Sequence, residues 1–420
     1  MKTTIGTHCT VTSSKRFHLS ERAESGVPFF CSKQIIQLEN GEMPSDYDHI
    51  TNEHFRDIQI KYGVPSSGDL LITTRGTYGI PYIYKERDCF YFADGNLTWL
   101  KDFDDCLSSH YLYYWFKSYE GQKKIDAIAK GTAQKAVPIA LIKDLQLTLP
   151  PISQQKRIAS ILSAYDDLIE NNRRQIKLLE EAAQRLYREW FVELRFPGHE
   201  DVKVIDGVPE GWKRVQIKDL IAYEIGGGWG SDAPSERDFQ EAYVIRGTDL
   251  HGIMHGDYKN LPLRFHSENS LKPRILQDGD IVFEVSGGGK NEGVARTALI
   301  STQLLSLLNK PAICASFCKL IRPIEIDYSQ YMYSYLQFLR ASGKTAEYDK
   351  RSASSIVNYR WKDFLVQEYT LLPKLTVLKH FNRYIDAYYK KITTCANIIS
   401  IASDTRDRLL SKLMSREMEV

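Results

Sequence analysis

Paired cysteines are missing from this chain. It has seven cysteines, an odd number, and no Cys-x-x-Cys pair. That excludes a complete disulfide framework and leaves reduced, mostly buried thiols as the expectation. Cys314 and Cys318 are four apart, but no second Cys/His pair stands near them, so no metal site is expected. Met1–Val11 lacks the apolar core of a signal peptide, and no run approaches the ~18 apolar residues of a membrane span. A soluble intracellular protein is expected. Net charge is also small: 55 Lys and Arg against 53 Asp and Glu, or +2. Bulk charge therefore gives no sign of a nucleic-acid binder, although local basic patches are compatible with it.

Catalytic signatures are equally scarce. Ser286-Gly287-Gly288-Gly289-Lys290 is followed by Asn291, and its spacing fails the phosphate-loop pattern of Gly, four residues, then Gly-Lys-Ser/Thr. Ile225-Gly226-Gly227-Gly228-Trp229-Gly230 has no well-placed acid to suggest a dinucleotide fold. There is no His-Glu-x-x-His, no Gly-x-Ser-x-Gly and no Asn/Asp-Pro-Pro-Tyr/Phe run. The paired acids Asp166-Asp167 and Glu180-Glu181 lie on a helical pattern and read as a solvated face.

What the chain does have is a repeat of itself at about half its length. Tyr111, Tyr113 and the segment through Val137 return as Tyr331, Tyr333 and the segment through Val357. Gly68-Asp69-Leu70-Leu71 returns as Gly279-Asp280-Ile281-Val282, Pro28-Phe29-Phe30 as Val244-Ile245, and Arg185-Leu186 as Arg408-Leu409. A repeat on this scale implies two sister modules and an internal pseudo-two-fold.

Each module is a mixed α/β (α+β) domain followed by a rod. Residues 1–148 carry short β-rich runs, Asp69–Thr73 and Pro81–Tyr84, and then a helical stretch from His110 to Ile128 with Tyr111, Tyr114, Trp115 and Tyr119 near helical spacing. Pro150-Pro151 opens a rod at 149–196, free of Gly and Pro from Ile152 to Leu194. Its seam reads Ile158, Ile161, Tyr165, Leu168, Asn172, Ile176, Leu179, Ala183, Leu186 and Trp190, with steps of three and four. About forty residues would span roughly 60 Å. Residues 197–371 form the second domain. Residues 372–420 form the second rod, with Phe381, Ile385, Tyr388, Ile392, Cys395, Ile399, Ala402, Leu409 and Leu413 in the same rhythm. Two apolar seams in one chain predict two long antiparallel coiled-coil helices packed on each other. Asn172, a polar seam residue, is expected to fix register at a cost in stability; the alternative is that it faces solvent where the helices splay. The seam residues Ile158, Ile161, Leu168, Asn172, Ile176, Leu179, Leu186, Ile392, Ile399 and Leu409 are also the candidate partner-binding set.

The remaining candidates point to DNA contact. After the Gly-Asp strand comes Arg75-Gly76-Thr77-Tyr78 in one copy and Ser286-Gly287 through Lys290 in the other. Glycine permits close approach, Arg reads guanine, and Lys meets phosphate as a point charge. An ordinary hairpin turn would have the same composition. Gln134-Lys135 within Lys130–Lys135, and Arg351-Ser352 within Lys350–Ser355, combine small residues, hydroxyls and cations suited to phosphate. Ser14-Lys15-Arg16, together with Lys33 and Arg246 after equivalent strands, complete the set; each also suits a solvated surface.

At this point the chain resembles the specificity subunit of type I restriction–modification enzymes. The resemblance rests on Leu149-Pro150-Pro151-Ile152-Ser153-Gln154-Gln155-Lys156-Arg157-Ile158, on Asp166-Asp167-Leu168-Ile169-Glu170-Asn171-Asn172, on Gly207-Val208-Pro209-Glu210-Gly211-Trp212, on Val244-Ile245-Arg246-Gly247-Thr248-Asp249 and on Gly131-Thr132-Ala133-Gln134-Lys135. It implies two target-recognition domains separated by two long helices. By that resemblance each domain would read one half of a bipartite, asymmetric double-stranded DNA target, and the helices would set the gap. It implies no catalysis and no cofactor on this chain. Two methylation subunits would carry S-adenosylmethionine, restriction subunits would use ATP and magnesium, and the setting would be a bacterial or archaeal cytoplasm. The second copy departs from the pattern: Leu371-Leu372-Pro373-Lys374-Leu375 lacks the double proline, and Arg351-Ser352 replaces Gly131-Thr132. A coiled-coil scaffold with two protein-binding domains is the competing reading.

Overall fold

The structure is a computed structural model that describes residues 2–131, 135–258, 260–287, 293–351 and 356–418. The chain divides into two units: Met1–Asn171 with Ile401–Val420, and Asn172–Ser400. The division runs through the middle of both long helices, Ile152–Tyr187 and Leu375–Met414. Each unit therefore holds one globular domain and a stretch of each helix.

In the first unit a four-stranded antiparallel sheet has the order Thr10–Thr12, Leu97–Lys101, Leu70–Thr73, Pro81–Ile83. Leu71 stands opposite Trp99 and Tyr82. All four residues of Leu70–Thr73 are buried, which is why this strand is a continuous apolar run and not an alternating one. A smaller sheet places Val27–Phe30 between Asp48–Ile50, antiparallel, and Tyr91–Phe92, parallel.

The second unit repeats this plan. Its four-stranded sheet runs Ile221–Gly226, Cys318–Pro323, Ile281–Glu284, Thr297–Leu299. In its smaller sheet Gln240–Ile245 lies between Leu263–His266, antiparallel, and Ala312–Cys314, parallel. The order of strands along the chain and across each sheet is the same in both units.

The repeated Gly-Asp pair has an architectural role. Gly68 and Gly279 have φ of +92° and +83°, a conformation that favours glycine at the turn entering the strand. The Asp69 carboxylate accepts from Ser66 N–H and Trp99 Nε1 (both 2.9 Å). Asp280 accepts from Gln277 N–H (2.7 Å) and from both Nε and Nη2 of Arg322 (2.7 Å each).

The helical stretch expected from His110 to Ile128 is two helices, Ser109–Lys117 and Tyr119–Ile128. Ser118 ends the first in an extended conformation and caps the second by accepting from Gly121 N–H. A Cβ on Gly121 would lie 2.0 Å from the Trp115 carbonyl oxygen, so only glycine permits this tight restart. Tyr119, placed on the buried stripe by its spacing, is 82% exposed because the break resets the helical phase.

The long helices pair antiparallel within each unit. In the first unit Ile158, Ala159 and Leu162 share a core with Leu410, Leu413 and Met414. Asp166 pairs with Arg406 (2.7 Å), and Arg416 donates to the Thr148 carbonyl (3.0 Å). In the second unit Ile176 packs with Ile392, Cys395 and Ala396, and Trp190 and Phe191 meet Phe381 at centroid distances of 5.9 and 4.9 Å.

The seam differs from the expected register at three positions. Leu162, Ile169 and Tyr187 are buried, whereas Ile161 and Leu186 are only half-buried and Leu168 is 41% exposed. At each place two large side chains are adjacent, so steps of three and four fit either one. Leu162 and Tyr187 share cores with the globular domain of their own unit, which selects them over their neighbours. Asn172 is buried on the seam, not splayed into solvent. Ile158, Ile176 and Ile392 are buried within the chain, and Leu179, Ile399 and Leu409 are half-buried. As a surface for a second protein, this set is largely occupied by the chain's own packing.

Candidate nucleic-acid interface

Two loops that are far apart in sequence meet in each unit. In the first unit Thr74 follows the Gly-Asp strand and donates its N–H to the Asn96 carbonyl (2.8 Å), while its own carbonyl accepts from Val137 N–H (2.8 Å). Arg75 then bridges to Ala136, and Ala136 bridges to Lys130. Arg75, Ala136 and Lys130 thus lie side by side on one rim.

The second unit makes the same bonds with different residues. Val285 N–H donates to the Phe317 carbonyl (2.9 Å), and the Val285 carbonyl accepts from Tyr359 N–H (2.8 Å). Ser286 and Gly287 pair with Asn358 and Val357, and Lys350 pairs with Asn358 on its other side. Thr74 and Val285 are thus equivalent, as are Arg75 and Ser286, and Lys130 and Lys350. By this pattern Val137 corresponds to Tyr359, two residues beyond the Val357 that sequence spacing indicates.

On the first rim Arg75, Thr77, Lys130 and Lys135 are exposed. Tyr78 is tied back by its hydroxyl, which donates to Asp126 (3.0 Å); that bond holds the phenol pKa above its ordinary value. On the second rim Lys350 and Arg351 are exposed, and the buried Ser286 hydroxyl donates to Asn358 Oδ1 (2.8 Å). Gln134, Lys290 and Ser352 lie outside the described residues.

The Ser14-Lys15-Arg16 run borders the same rim. Ser13 Oγ donates to the Leu97 carbonyl (3.1 Å), as Gly227 N–H does to the Cys318 carbonyl (2.9 Å) in the second unit. Arg16 is exposed. Lys15 is held over the Phe17 ring at 5.6 Å and near Glu21 at 3.5 Å. Ser14 Oγ is buried without a hydrogen-bond partner among the described residues.

Lys33 and Arg246 are not equivalent. Cys31 N–H is closed by the Gln34 side chain (2.9 Å) as Arg246 N–H is closed by Asp249 (2.9 Å), so Arg246 corresponds to Cys31. The Arg246 guanidinium also takes a bidentate grip on Asp249 (2.8 Å each), which raises its pKa further and ties it to its own turn. Lys33 pairs with exposed Asp46 (2.8 Å), a surface ion pair of small energetic value.

Beneath the second rim lies a group that spacing did not single out. Glu284 is almost fully buried and takes a bidentate ion pair from Arg296 (2.8 and 2.6 Å). A Cβ on Gly247 would fall 2.4 Å from Glu284 Oε1, and one on Gly287 2.8 Å from it. The carboxylate thus fills the space that two glycines leave, and it supports the Ser286–Gly287 turn from below.

Residues 4–181 match the type I restriction modification DNA specificity domain. The type I restriction enzyme MjaIX specificity subunit of Methanocaldococcus jannaschii is 24% identical over 416 residues, covering 94% of this chain and 87% of that protein. The chain is thus similar in sequence to a type I specificity subunit over nearly all of its length. A putative specificity subunit of Haemophilus influenzae, S.HindORF215P, is 30% identical over 181 residues, 43% of each chain. The crystal structure of the type I restriction-modification S subunit from M. genitalium matches with a TM-score of 0.59 at 15% identity, covering 98% of this chain and 95% of that one, a likeness of fold. Type I specificity subunits are non-catalytic DNA-recognition subunits of restriction systems. Among the described residues, no helix is long and apolar enough to cross a membrane.

Proposed function

We propose that this chain reads a bipartite, asymmetric DNA target, one half per unit, and scaffolds two methylation subunits, with restriction subunits joining the full complex. The observation that carries this reading is the repeated rim. The same backbone bonds in both units bring together a glycine-containing turn and a basic return strand, while the side chains differ: Arg75 against Ser286, and Ala136 against Asn358. A conserved frame with divergent side chains suits two readers of unlike half-sites, because phosphate contacts position a protein and base-edge contacts specify sequence. Near-neutral net charge fits a chain whose partners supply part of the phosphate grip. S-adenosylmethionine, ATP and magnesium belong on those partners, in a bacterial or archaeal cytoplasm.

The test is selection of targets from random-sequence duplex DNA by the full chain with its methylation subunit. Arg75→Ala should cost about 1–3 kcal/mol and relax one position in one half, and Arg351→Ala should act on the other half. Unchanged affinity and preference in both variants at moderate salt would refute the rim assignment.

A further inference from the structure

We infer that the second unit reads its half-site with an aromatic pair, Trp229 and Phe317, that contacts the base steps of duplex DNA. This rests on the DNA-reading function proposed above. Both side chains are large and exposed, Trp229 by 40% and Phe317 by 55%. Phe317 sits on the rim already described, and the Trp229 loop is bonded to the turn that carries Phe317. Phe317 is the residue whose carbonyl accepts from Val285 N–H (2.9 Å) and Ser286 N–H (3.1 Å). Trp229 follows Gly228, whose N–H donates to the Cys314 carbonyl (2.9 Å), at the other end of the same short turn.

The loop that carries Trp229 is closely packed at Gly227 and Gly230. A Cβ on Gly227 would lie 2.2 Å from the carbonyl oxygens of Cys314 and Ala315, and one on Gly230 2.6 Å from the Phe265 carbonyl. Gly230 also has φ of +73°. Glycine is therefore required on both sides of the tryptophan, and the Ser231–Phe265 bridge closes the loop. The Arg264 guanidinium stands 4.4 Å from the centre of the indole and pairs with Asp232. Arg264 Nε is buried with no hydrogen-bond partner among the described residues, and a guanidinium over an indole face is attracted by the ring quadrupole.

The partner chemistry follows from the neighbours. Lys350 and Arg351 are exposed on the same rim. In the first unit Lys15 stands where the second has Trp229, within the polar Ser13–Arg16 run and 5.6 Å from the Phe17 ring centre, and Asn96 stands where the second unit has Phe317. Apolar side chains beside phosphate-binding cations are the means by which proteins wedge base steps or meet thymine methyls, and they read deformability as well as base edges. The two units thus differ in mode: polar contact in the first, aromatic contact in the second.

The test uses the full chain in complex with its methylation subunit and a pool of random-sequence duplexes, with DNA bend measured on the selected target by circularly permuted probes. Trp229→Ala/Phe317→Ala should lower discrimination at one or two adjacent base pairs of one half by tenfold or more and reduce the bend there. The half relaxed by Arg75→Ala should stay intact. Trp229→Phe alone should retain most of the preference. Unchanged preference and bend in the double variant, with Arg75→Ala still effective, would overturn this inference and leave the proposed function standing. Loss of the methylation subunit with DNA preference intact would mark a protein-docking surface and overturn it too. A wild-type complex without sequence preference would overturn the proposed function itself.

Discussion

The buried Glu284–Arg296 pair is the sharpest place to test how the second rim is held. Glu284 keeps 2% of its side chain in solvent and Arg296 25%. Arg296→Met would strand the carboxylate beneath Gly247 and Gly287 with its two closest donors gone. Breaking a buried pair by removing one partner costs about 3–5 kcal/mol, and the partial exposure of Arg296 places this case near the lower end. For a unit the size of Asn172–Ser400, about 3 kcal/mol corresponds to a fall of roughly 6–12 °C in its melting transition. Glu284→Leu/Arg296→Met should recover most of that loss, because replacing both partners removes the unpaired charge. Thermal melts of the two variants beside wild type measure the stability, and target selection measures the consequence: preference should weaken in the half read by the second unit. A loss below about 1 kcal/mol in Arg296→Met, or a double variant no more stable than the single one, would refute the argument that this pair supports the turn.

Other outcomes follow from the same packing. Ile169→Ala should cost about 2–5 kcal/mol in chemical denaturation and Leu168→Ala under 1, since only the first is buried; the reverse order would restore the register suggested by spacing. Asn172→Leu should raise the melting temperature of a seam that already buries this residue; a lowered value would show that the amide is needed for stability. Glu170 meets Lys85 (2.9 Å) and Arg87, and these two cations outweigh the opposing effect of partial burial, so its pKa is lowered. A lowered folded-state pKa contributes stability above the unfolded value of about 4.3, and that stability is lost as pH falls through the folded value. Wild type should therefore melt above Glu170→Gln at pH 7, and the gap should close on acidification; a gap that is constant with pH would refute this.

The sequence by itself determined the half-length repeat, the mixed domains and the two long helices. These depend on local signals: a Gly-Asp turn that needs positive φ, uninterrupted helix formers after a proline, and periodic apolar residues. Local signals could not choose between Leu168 and Ile169 on the seam, because adjacent apolar residues satisfy the same period, and burial by a distant segment decides. Nor could they place Tyr119, since the break at Ser118 depends on how closely Gly121 approaches Trp115. The Lys33–Arg246 correspondence failed for a related reason: equivalence is set by hydrogen bonds closing each turn, not by charge type. Only the tertiary structure brought the Arg75 loop to Lys130 and the Ser286 turn to Asn358, because β-bridges between segments about 60–70 residues apart leave no trace in local pattern. Trp229 carried a readable sign, glycines on both sides, but its neighbours Arg264 and Phe317 come from other strands and turns, and sequence order does not say that they meet.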